Sequence, residues 1–242
     1  MKLRIDGTLF KSCISMISNL VEEVQLTAGL EEMRILEMDP ANVAMVSLKL
    51  PKSSCMEYIV SQEEKIGLKL SNLTMILKRI VKDDLVLLET VNNQLIVKIG
   101  YNRTFTLPLI ALEEHKEQKW PELEMPAKIK MITKMLDDSL EDVSTVAESA
   151  TFEVTPAGLV ITGEGDLAIA KIEMSNSDTT RITGTFEKVK AKFSMEYLMK
   201  MVKSSVAKEV TLEFKTDYPI RLTYIADQFS LSYILAPRIS DD

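Results

Sequence analysis

The sequence predicts an α+β protein of two duplicated, β-rich domains, each with two helices on one face of its sheets. Three observations support this prediction. One hydrophobic pattern occurs twice about 124 residues apart, most apolar runs span only four to seven residues, and only four stretches have helical periodicity. A repeat of this length is a whole domain rather than a unit of a solenoid. Short apolar runs between turn signals are typical of strands.

The duplication is clearest in blocks that align without gaps. Residues 35–50 align with residues 159–174, and Phe105-Thr106-Leu107 aligns with Phe229-Ser230-Leu231. A chain of 242 residues accommodates one or two domains of ordinary size. The repeat therefore favours two domains.

The two copies are joined by a long connecting segment. We assign residues 1–108 to an N-terminal domain, 109–126 to the connecting loop and 127–242 to a C-terminal domain. The connecting loop contains five Glu, the only His and the only Trp of the chain. Because long loops without regular structure are uncommon unless they have a function, this loop is a candidate binding element.

The predicted strands follow the same order in both halves. They cover 33–36, 43–48, 85–88 and 95–99 in the first half, and 152–154, 210–214 and 220–224 in the second. Asn92-Asn93 lies between the last two strands of the first half. Asn tolerates left-handed backbone geometry, so this pair predicts a tight hairpin turn.

Four stretches place apolar residues on one helical face. Ser71 is a candidate N-cap of the second helix, and Ser194 precedes the fourth. The apolar faces comprise Phe10, Cys13, Ile14, Ile17 and Val21 in the first helix; Leu73, Ile76, Leu77 and Ile80 in the second; Ile132, Met135, Leu136, Leu140 and Val143 in the third; and Leu198, Met201, Val202 and Val206 in the fourth.

The polar faces of the helices contrast with the overall charge of the chain. The formal net charge is −7, which taken alone argues against a nucleic-acid partner. Three of the four helices nevertheless carry Lys or Arg on the side opposite the apolar face. Each lysine alone is equally compatible with an ordinary solvated face, but together they indicate loose, sequence-independent contact with phosphates. The third helix fits poorly, because Asp137, Asp138 and Glu141 follow its Lys134.

The sequence contains no signature of a catalytic, metal or cofactor site. Glycine-rich phosphate-binding and dinucleotide-binding motifs are absent. His115 stands alone in the connecting loop, and Cys13 and Cys55 are too far apart in sequence for a zinc knuckle. Two free cysteines, no signal-peptide core and no long apolar run indicate a soluble intracellular protein with no membrane partner.

Four segments are informative when taken together: Met38-Asp39-Pro40 with 43–46, Gly67-Leu68-Lys69-Leu70-Ser71-Asn72-Leu73, Pro121-Glu122-Leu123, and Tyr233-Ile234-Leu235-Ala236-Pro237-Arg238-Ile239. They resemble the corresponding segments of the proliferating cell nuclear antigen family, the DNA sliding clamps of archaea and eukaryotes. The resemblance runs from end to end, and the Pro-Arg-Ile ending is more similar to archaeal members. It implies a cytoplasmic, nucleoid-associated archaeal protein, or a nuclear protein if the source is a eukaryote.

The resemblance implies a closed ring of three subunits of the DNA-clamp fold, with helices lining the hole and sheets forming the outer wall. Such a ring encircles double-stranded DNA without reading its sequence and acts as a processivity factor in replication and repair. It is not an enzyme and needs no metal or cofactor. The cations placed toward DNA are Lys11, Lys78, Arg79, Lys82, Lys134, Lys200, Lys203 and Lys208.

The resemblance also implies a pocket for partner peptides beneath the connecting loop. Its expected partners are DNA polymerase, the clamp loader, flap endonuclease and DNA ligase, each binding through a short peptide motif. Trp120 replaces the aliphatic residue usual in the family at its position. The residues that match the pocket are Met38, Val43, Met45, Trp120, Pro121, Pro219, Ile234, Leu235, Ala236 and Pro237.

Subunit contacts are expected on two edge segments, 102–109 and 166–174, which would pair head to tail and close the ring. The residues assigned to these contacts are Arg103, Phe105, Leu107, Leu167, Ile169 and Lys171. Two alternatives stay open at this point. The chain could be a specialised subunit of a heterotrimeric clamp, or an unrecognised enzyme with an acidic cleft.

Overall fold

The chain divides into two compact units in a computed structural model that describes residues 1–111, 118–203 and 207–239. Unit 1 comprises Met1–Pro40, Val46–Trp120 and Ala226–Leu231, and unit 2 comprises Ala41–Met45, Pro121–Ile225 and Ser232–Asp242. Both units contain antiparallel sheets and a pair of helices. The predicted α+β class is therefore confirmed.

Unit 1 begins with a strand, a helix and three further strands, and the order then continues through a short 3-10 turn at Lys52–Ser54. Its elements are β1 (Lys2–Asp6), α1 (Gly7–Ser18), β2 (Glu23–Ala28), β3 (Glu32–Met38), β4 (Ala44–Pro51), β5 (Cys55–Ile59), β6 (Glu64–Lys69), α2 (Leu70–Leu77), β7 (Leu85–Val91), β8 (Gln94–Ile99) and β9 (Arg103–Pro108). Five strands form one sheet in the order β5-β1-β7-β8-β9, and a second run has the order β4-β3-β2-β6.

Unit 2 repeats this arrangement. Its elements are β10 (Ala127–Ile132), α3 (Thr133–Ser144), β11 (Ser149–Thr155), β12 (Gly158–Glu164), β13 (Ile169–Ser175), β14 (Thr180–Thr183), β15 (Val189–Ser194), α4 (Met195–Val202), β16 (Glu209–Phe214), β17 (Ile220–Ala226) and β18 (Phe229–Leu235). One sheet has the order β13-β12-β11-β15, and a second run has the order β14-β10-β16-β17-β18. The helices α3 and α4 pack against each other, as α1 and α2 do in unit 1.

The hairpin between β7 and β8 forms as the sequence predicts. Both turn residues have positive φ angles, 47° at Asn92 and 59° at Asn93. Two consecutive left-handed residues give the turn a twist that matches the flanking strands. The pairing continues from Val91 with Gln94 to Val86 with Ile99.

The helices are shorter than their apolar periodicity predicts. Val21 and Ile80 are buried, but they lie beyond the ends of α1 and α2. Ile132 is 39% exposed and precedes α3 rather than belonging to its apolar face. Val206 lies outside the described residues.

The predicted N-caps are also corrected by the structure. Ser71 lies inside α2, which begins at Leu70 without a side-chain cap. The Leu70 N–H instead donates to the Glu22 carbonyl at 2.8 Å, so a partner elsewhere in the unit replaces the cap. Ser194 occupies the N-cap position of α4, but its hydroxyl makes no capping hydrogen bond.

The cores of the two units differ in side-chain type. Cys13 and Phe10 are fully buried under α1 among aliphatic side chains, and burial raises the pKa of the Cys13 thiol to about 12. In unit 2, Phe152, Phe193 and Phe214 form a buried cluster with ring centroids 5.8–6.5 Å apart in edge-to-face geometry. Such pairs are favourable beyond the area they bury.

Candidate nucleic-acid interface and partner-binding surfaces

Unit 1 carries four of the predicted DNA-facing cations on α1 and at the end of α2. Lys11 lies on α1 and is half-buried, whereas Lys78, Arg79 and Lys82 are exposed in the turn that follows α2. Within residues 1–111, 118–203 and 207–239, none of these four side chains takes part in an ion pair. Their full charge is therefore available to an anionic ligand.

The turn after α2 is held by Asp84. Its Oδ2 accepts hydrogen bonds from the Val81 N–H at 2.9 Å and from Arg103 Nη2 at 2.5 Å. Both interactions hold the pKa of the Asp84 carboxyl below its usual range, and the Val81 hydrogen bond is the larger cause. Arg103 Nη1 also donates to the Arg79 carbonyl at 2.6 Å. The structure therefore places the guanidinium of Arg103 on an acid of its own chain.

A glycine is needed where this turn meets the start of α1. The Gly7 N–H donates to the Asp84 carbonyl at 2.8 Å. A Cβ atom at Gly7 would lie 2.6 Å from the Asp84 carbonyl oxygen, which is closer than van der Waals contact allows. The close approach lets α1 and the turn after α2 lie together in unit 1.

Unit 2 carries the other four cations, and two of them bind carboxylates on their own helices. Lys134 pairs with Asp138 in α3, and Lys200 Nζ lies 2.7 Å from Glu196 Oε1 in α4. The hydrogen bond from Asp138 is the main reason that the pKa of Lys134 is raised, and the bond to Lys200 is the main reason that the pKa of Glu196 is lowered.

The remaining cations of unit 2, Lys203 and Lys208, are exposed. Lys208 and Lys134 border one cavity of about 630 Å³, which lies between the start of α3 and the end of α4. The cavity is also lined by Asp137 and Glu209, so carboxylates alternate with the cations. The structure thus brings together two predicted cations that are 74 residues apart in the sequence, in an electrostatically mixed setting.

Two of the predicted pocket residues belong to unit 1. Met38 ends β3 and Trp120 lies in the connecting loop, and both side chains are half-buried. A half-buried Trp keeps one edge of its indole accessible to a ligand, which is the usual state of aromatic contact residues at binding surfaces.

The other predicted pocket residues belong to unit 2 and differ in accessibility. Val43 is exposed, and Pro121, Pro219, Ala236 and Pro237 are half-buried. Met45, Ile234 and Leu235 are buried, with exposed fractions of 6%, 6% and 1%. These three side chains therefore support the surface from below rather than forming it.

The segment after β18 is fixed by hydrogen bonds within unit 2. The Ala236 N–H donates to the Val43 carbonyl at 2.9 Å, and the Arg238 N–H donates to the Lys192 carbonyl at 2.7 Å. The Arg238 guanidinium also reaches the hydroxyls of Ser149 and Ser194. Sequence reasoning missed this arrangement, because no local pattern connects Arg238 with residues 89 and 44 positions away.

The predicted subunit-contact residues lie on the outermost strands of two sheets. In unit 1, β9 ends the five-stranded sheet, and Arg103, Phe105 and Leu107 are half-buried on alternate positions. In unit 2, β13 ends the four-stranded sheet, and Ile169 is 70% exposed.

The residues near β13 leave unusually large apolar surface accessible. Leu167, which precedes the strand, is 100% exposed. Lys171 is exposed and paired with Glu173, whose hydrogen bond raises the pKa of the lysine. An outer strand with exposed apolar side chains is a surface on which another strand can pair.

His115 lies outside the described residues. Among the residues that the structure describes, no three or more His, Cys, Asp or Glu side chains are grouped to hold a metal ion. No described helix is long and apolar enough to cross a membrane.

Comparison with known proteins gives matches over nearly the whole chain. Residues 2–107 match the model of the proliferating cell nuclear antigen N-terminal domain, and residues 119–238 match that of the C-terminal domain. A DNA polymerase sliding clamp from Thermococcus gammatolerans is 32% identical over 238 residues, covering 96% of this chain and 95% of the relative.

Solved structures agree with these sequence matches. The proliferating cell nuclear antigen (PCNA) of Thermococcus kodakaraensis superposes with a TM-score of 0.92 at 26% identity, covering 98% of this chain and 99% of the other. PCNA of A. fulgidus, bound to the C-terminal region of FEN-1, superposes with a TM-score of 0.91 at 28% identity, covering 100% and 99%.

Proposed function

The chain belongs to the proliferating cell nuclear antigen family, and we propose that it is a DNA polymerase sliding clamp. Three copies form a ring that encircles duplex DNA and tethers replication and repair proteins without catalysing a reaction. The observation that carries this proposal is the pair of outer strands, β9 in unit 1 and β13 in unit 2, in a chain that matches the family over both domains.

The ring closes by pairing of β9 of one copy with β13 of the next. A head-to-tail contact of this kind generates a closed ring when the rotation between copies is a whole fraction of a turn. Arg103, Phe105 and Leu107 would meet Leu167, Ile169 and Lys171, which covers the exposed apolar side chains of β13. Within each copy, residues 1–108 and 127–242 act as the two clamp domains and residues 109–126 as the connecting loop.

Ring closure is tested by the mass of the protein in solution. The wild-type chain should have three times the monomer mass of 27.3 kDa. Ile169→Asp should shift the mass to that of a monomer, because a carboxylate would be desolvated in the strand interface. Met56→Asp is the matched control, since Met56 is 69% exposed on β5, and it should leave the trimer intact. A wild-type monomer would instead favour a specialised subunit of a heterotrimer.

DNA contact is assigned to the helix cations: Lys11, Lys78, Arg79, Lys82, Lys134, Lys200, Lys203 and Lys208. Lysine side chains hold phosphates without reading base edges. A ring held only by topology and weak phosphate contacts can slide along a duplex while remaining threaded on it. Linking a polymerase to such a ring raises its effective concentration at the template.

Partner peptides bind where the connecting loop and the segment after β18 leave accessible apolar side chains. We assign this pocket to Met38, Val43, Trp120, Pro121, Pro219, Ala236 and Pro237, supported from below by Met45, Ile234 and Leu235. DNA polymerase, flap endonuclease, DNA ligase and the clamp loader are the partners. The complex of the A. fulgidus relative with the C-terminal region of FEN-1 supports this assignment.

Trp120 provides a direct readout of the pocket because it is the only Trp of the chain. A synthetic peptide of the C-terminal region of FEN-1 should shift the Trp emission to shorter wavelength, since the indole loses contact with water. The peptide must contain no Trp. Binding detected by calorimetry with unchanged emission would remove Trp120 from the pocket.

The absence of catalysis is tested with the purified trimer. Duplex and single-stranded DNA should remain intact when the protein is incubated with Mg²⁺ or Mn²⁺. Metal-dependent cleavage that follows the protein through purification would support the alternative of an enzyme with an acidic cleft.

A further inference from the structure

The segment from Ala236 to Ile239 leaves the sheet after β18 but is tied down at two points. The Ala236 N–H donates to the Val43 carbonyl at 2.9 Å, and the Arg238 N–H donates to the Lys192 carbonyl at 2.7 Å. Between them stands Pro237, which has no backbone N–H. The two N–H groups of Ala236 and Arg238 therefore set the course of the pocket residues Ala236 and Pro237.

The Arg238 side chain adds a third attachment on the neighbouring sheet. Nη1 donates to Ser149 Oγ at 2.7 Å, and Nη2 lies 3.5 Å from Ser194 Oγ. Ser149 begins β11 and Ser194 ends β15, and the two residues are direct partners in the register of these strands. The guanidinium thus spans a cross-strand pair of serines, which its planar fork of donors is suited to do.

From this geometry we propose that Arg238 is a positioning residue of the partner-peptide pocket. By binding the pair Ser149 and Ser194, it holds Ala236 and Pro237 in the conformation that a partner peptide meets. This inference rests on the proposed clamp function, and it adds a residue outside the pocket that determines how tightly the pocket binds.

The physical basis is preorganisation. A short segment near the end of a chain loses conformational freedom when it binds a ligand, unless other contacts have already ordered it. Charge-assisted hydrogen bonds from an arginine are stronger than neutral ones. The Arg238 contacts therefore order the segment before the peptide arrives, so that less binding free energy is lost on ordering it.

The first test compares Arg238→Ala with Lys192→Ala in the trimer. Calorimetric titration with a synthetic peptide of the C-terminal region of FEN-1 should give a Kd about tenfold higher for Arg238→Ala, as expected when a binding segment must be ordered on association. Lys192→Ala removes the same charge from the same strand but leaves the backbone bond to Arg238 in place. Its Kd should change less than twofold, whereas an equal loss would mean that charge alone is responsible.

A double-mutant cycle separates positioning from direct contact with the peptide. Ser149→Ala combined with Ser194→Ala should weaken peptide binding about as much as Arg238→Ala does. Adding Arg238→Ala to the serine double variant should then cause little further loss. A full additional loss would show that Arg238 touches the peptide itself, and it would overturn the positioning role.

Hydrogen exchange tests the same inference without any peptide. The amides of Ala236 and Arg238 should be protected in the wild-type trimer and should exchange at least several times faster in Arg238→Ala, because the segment can then open locally. Unchanged protection would overturn the inference. Failure of the wild-type trimer to bind the peptide would instead count against the proposed clamp function, since the exchange experiment reports on Arg238 independently.

Discussion

The two units share one architecture, but their helix cations differ in what they bind. In unit 1, Lys78, Arg79 and Lys82 are exposed and form no ion pair with any residue in the described part of the chain. In unit 2, Lys134 and Lys200 each bind a carboxylate four residues away on the same helix. The number of cations on a helix is therefore a poor measure of the charge that it can offer to DNA.

The difference arises from where each unit places its acids. The acid nearest to the unit 1 cations is Asp84, and its carboxylate binds Arg103 and the Val81 N–H instead of a lysine. The acids of unit 2 lie one helical turn from their lysines, where exposed pairs form readily but contribute only about 0.3–0.5 kcal/mol. Pairs this weak do not prevent a phosphate from binding, but they reduce its gain.

The largest expected effect is on DNA binding after removal of the unit 1 cations. In the variant Lys78→Ala, Arg79→Ala and Lys82→Ala, we expect duplex affinity to fall at least about tenfold near 0.1 M salt, since each lost phosphate contact also lowers the salt slope by about one. Fluorescence anisotropy of a short duplex, titrated at several NaCl concentrations, measures both quantities.

The matched control for this prediction is the unit 2 variant Lys134→Ala and Lys200→Ala. Its loss of affinity should be only about two- to threefold, because each lysine already contacts a carboxylate before DNA binds. Both variants should keep the mass of the trimer. Equal losses in the two variants would contradict the comparison between the units.

The fold was largely predictable from hydrophobic pattern. Alternating apolar residues define the strands, and Asn92-Asn93 marks a turn that only residues tolerant of positive φ form easily. Helix ends were predicted less well. Val21 and Ile80 continue the apolar period but lie outside the helices, because periodicity records burial and not the backbone hydrogen bonds that define a helix.

The candidate sites were predictable in position but not in their contacts. The spacing of Lys134 and Asp138 made their pairing visible in the sequence. The contacts of Arg103 with Asp84 and of Arg238 with Ser149 span 19 and 89 residues. Pairs this distant depend on strand register and tertiary packing, so no local pattern could reveal them.

A smaller effect, opposite in sign, should follow from removing the acids of unit 2. Asp138→Asn combined with Glu196→Gln frees Lys134 and Lys200 for phosphate, so duplex affinity should rise about threefold at low salt. The same anisotropy titration measures the change. The rise should disappear at high salt, where exposed charges are screened.

A change in net charge alone could also raise affinity for DNA, and a control variant separates the two causes. Glu187→Gln combined with Asp227→Asn removes two exposed acids that form no printed ion pair with a helix lysine among the residues described here. Its affinity should rise less than that of the unit 2 helix variant. An equal rise would show that the local pairs in α3 and α4 do not matter.

The smallest expected effect concerns the stability of the turn after α2. The folded-state pKa of Asp84 is lowered, so its carboxylate stabilises the fold above the unfolded-state pKa, about 3.9, and this contribution is lost as the pH falls through the lower folded value. Asp84→Asn should reduce the Tm by about 2 °C near pH 7. The difference from wild type should shrink as the pH is lowered below about 4.

The adjacent residue provides the control for Asp84. Asp83→Asn makes the same chemical change at an exposed side chain that accepts neither the Val81 N–H nor the Arg103 guanidinium, since both bind Asp84. Differential scanning calorimetry of the two variants across the same pH range should show a pH-dependent Tm difference for Asp84→Asn alone. If both variants followed the wild type at every pH, the hydrogen bonds of Asp84 would not stabilise the turn that presents Lys78, Arg79 and Lys82, and the distinct behaviour of unit 1 would have to rest on charge placement alone.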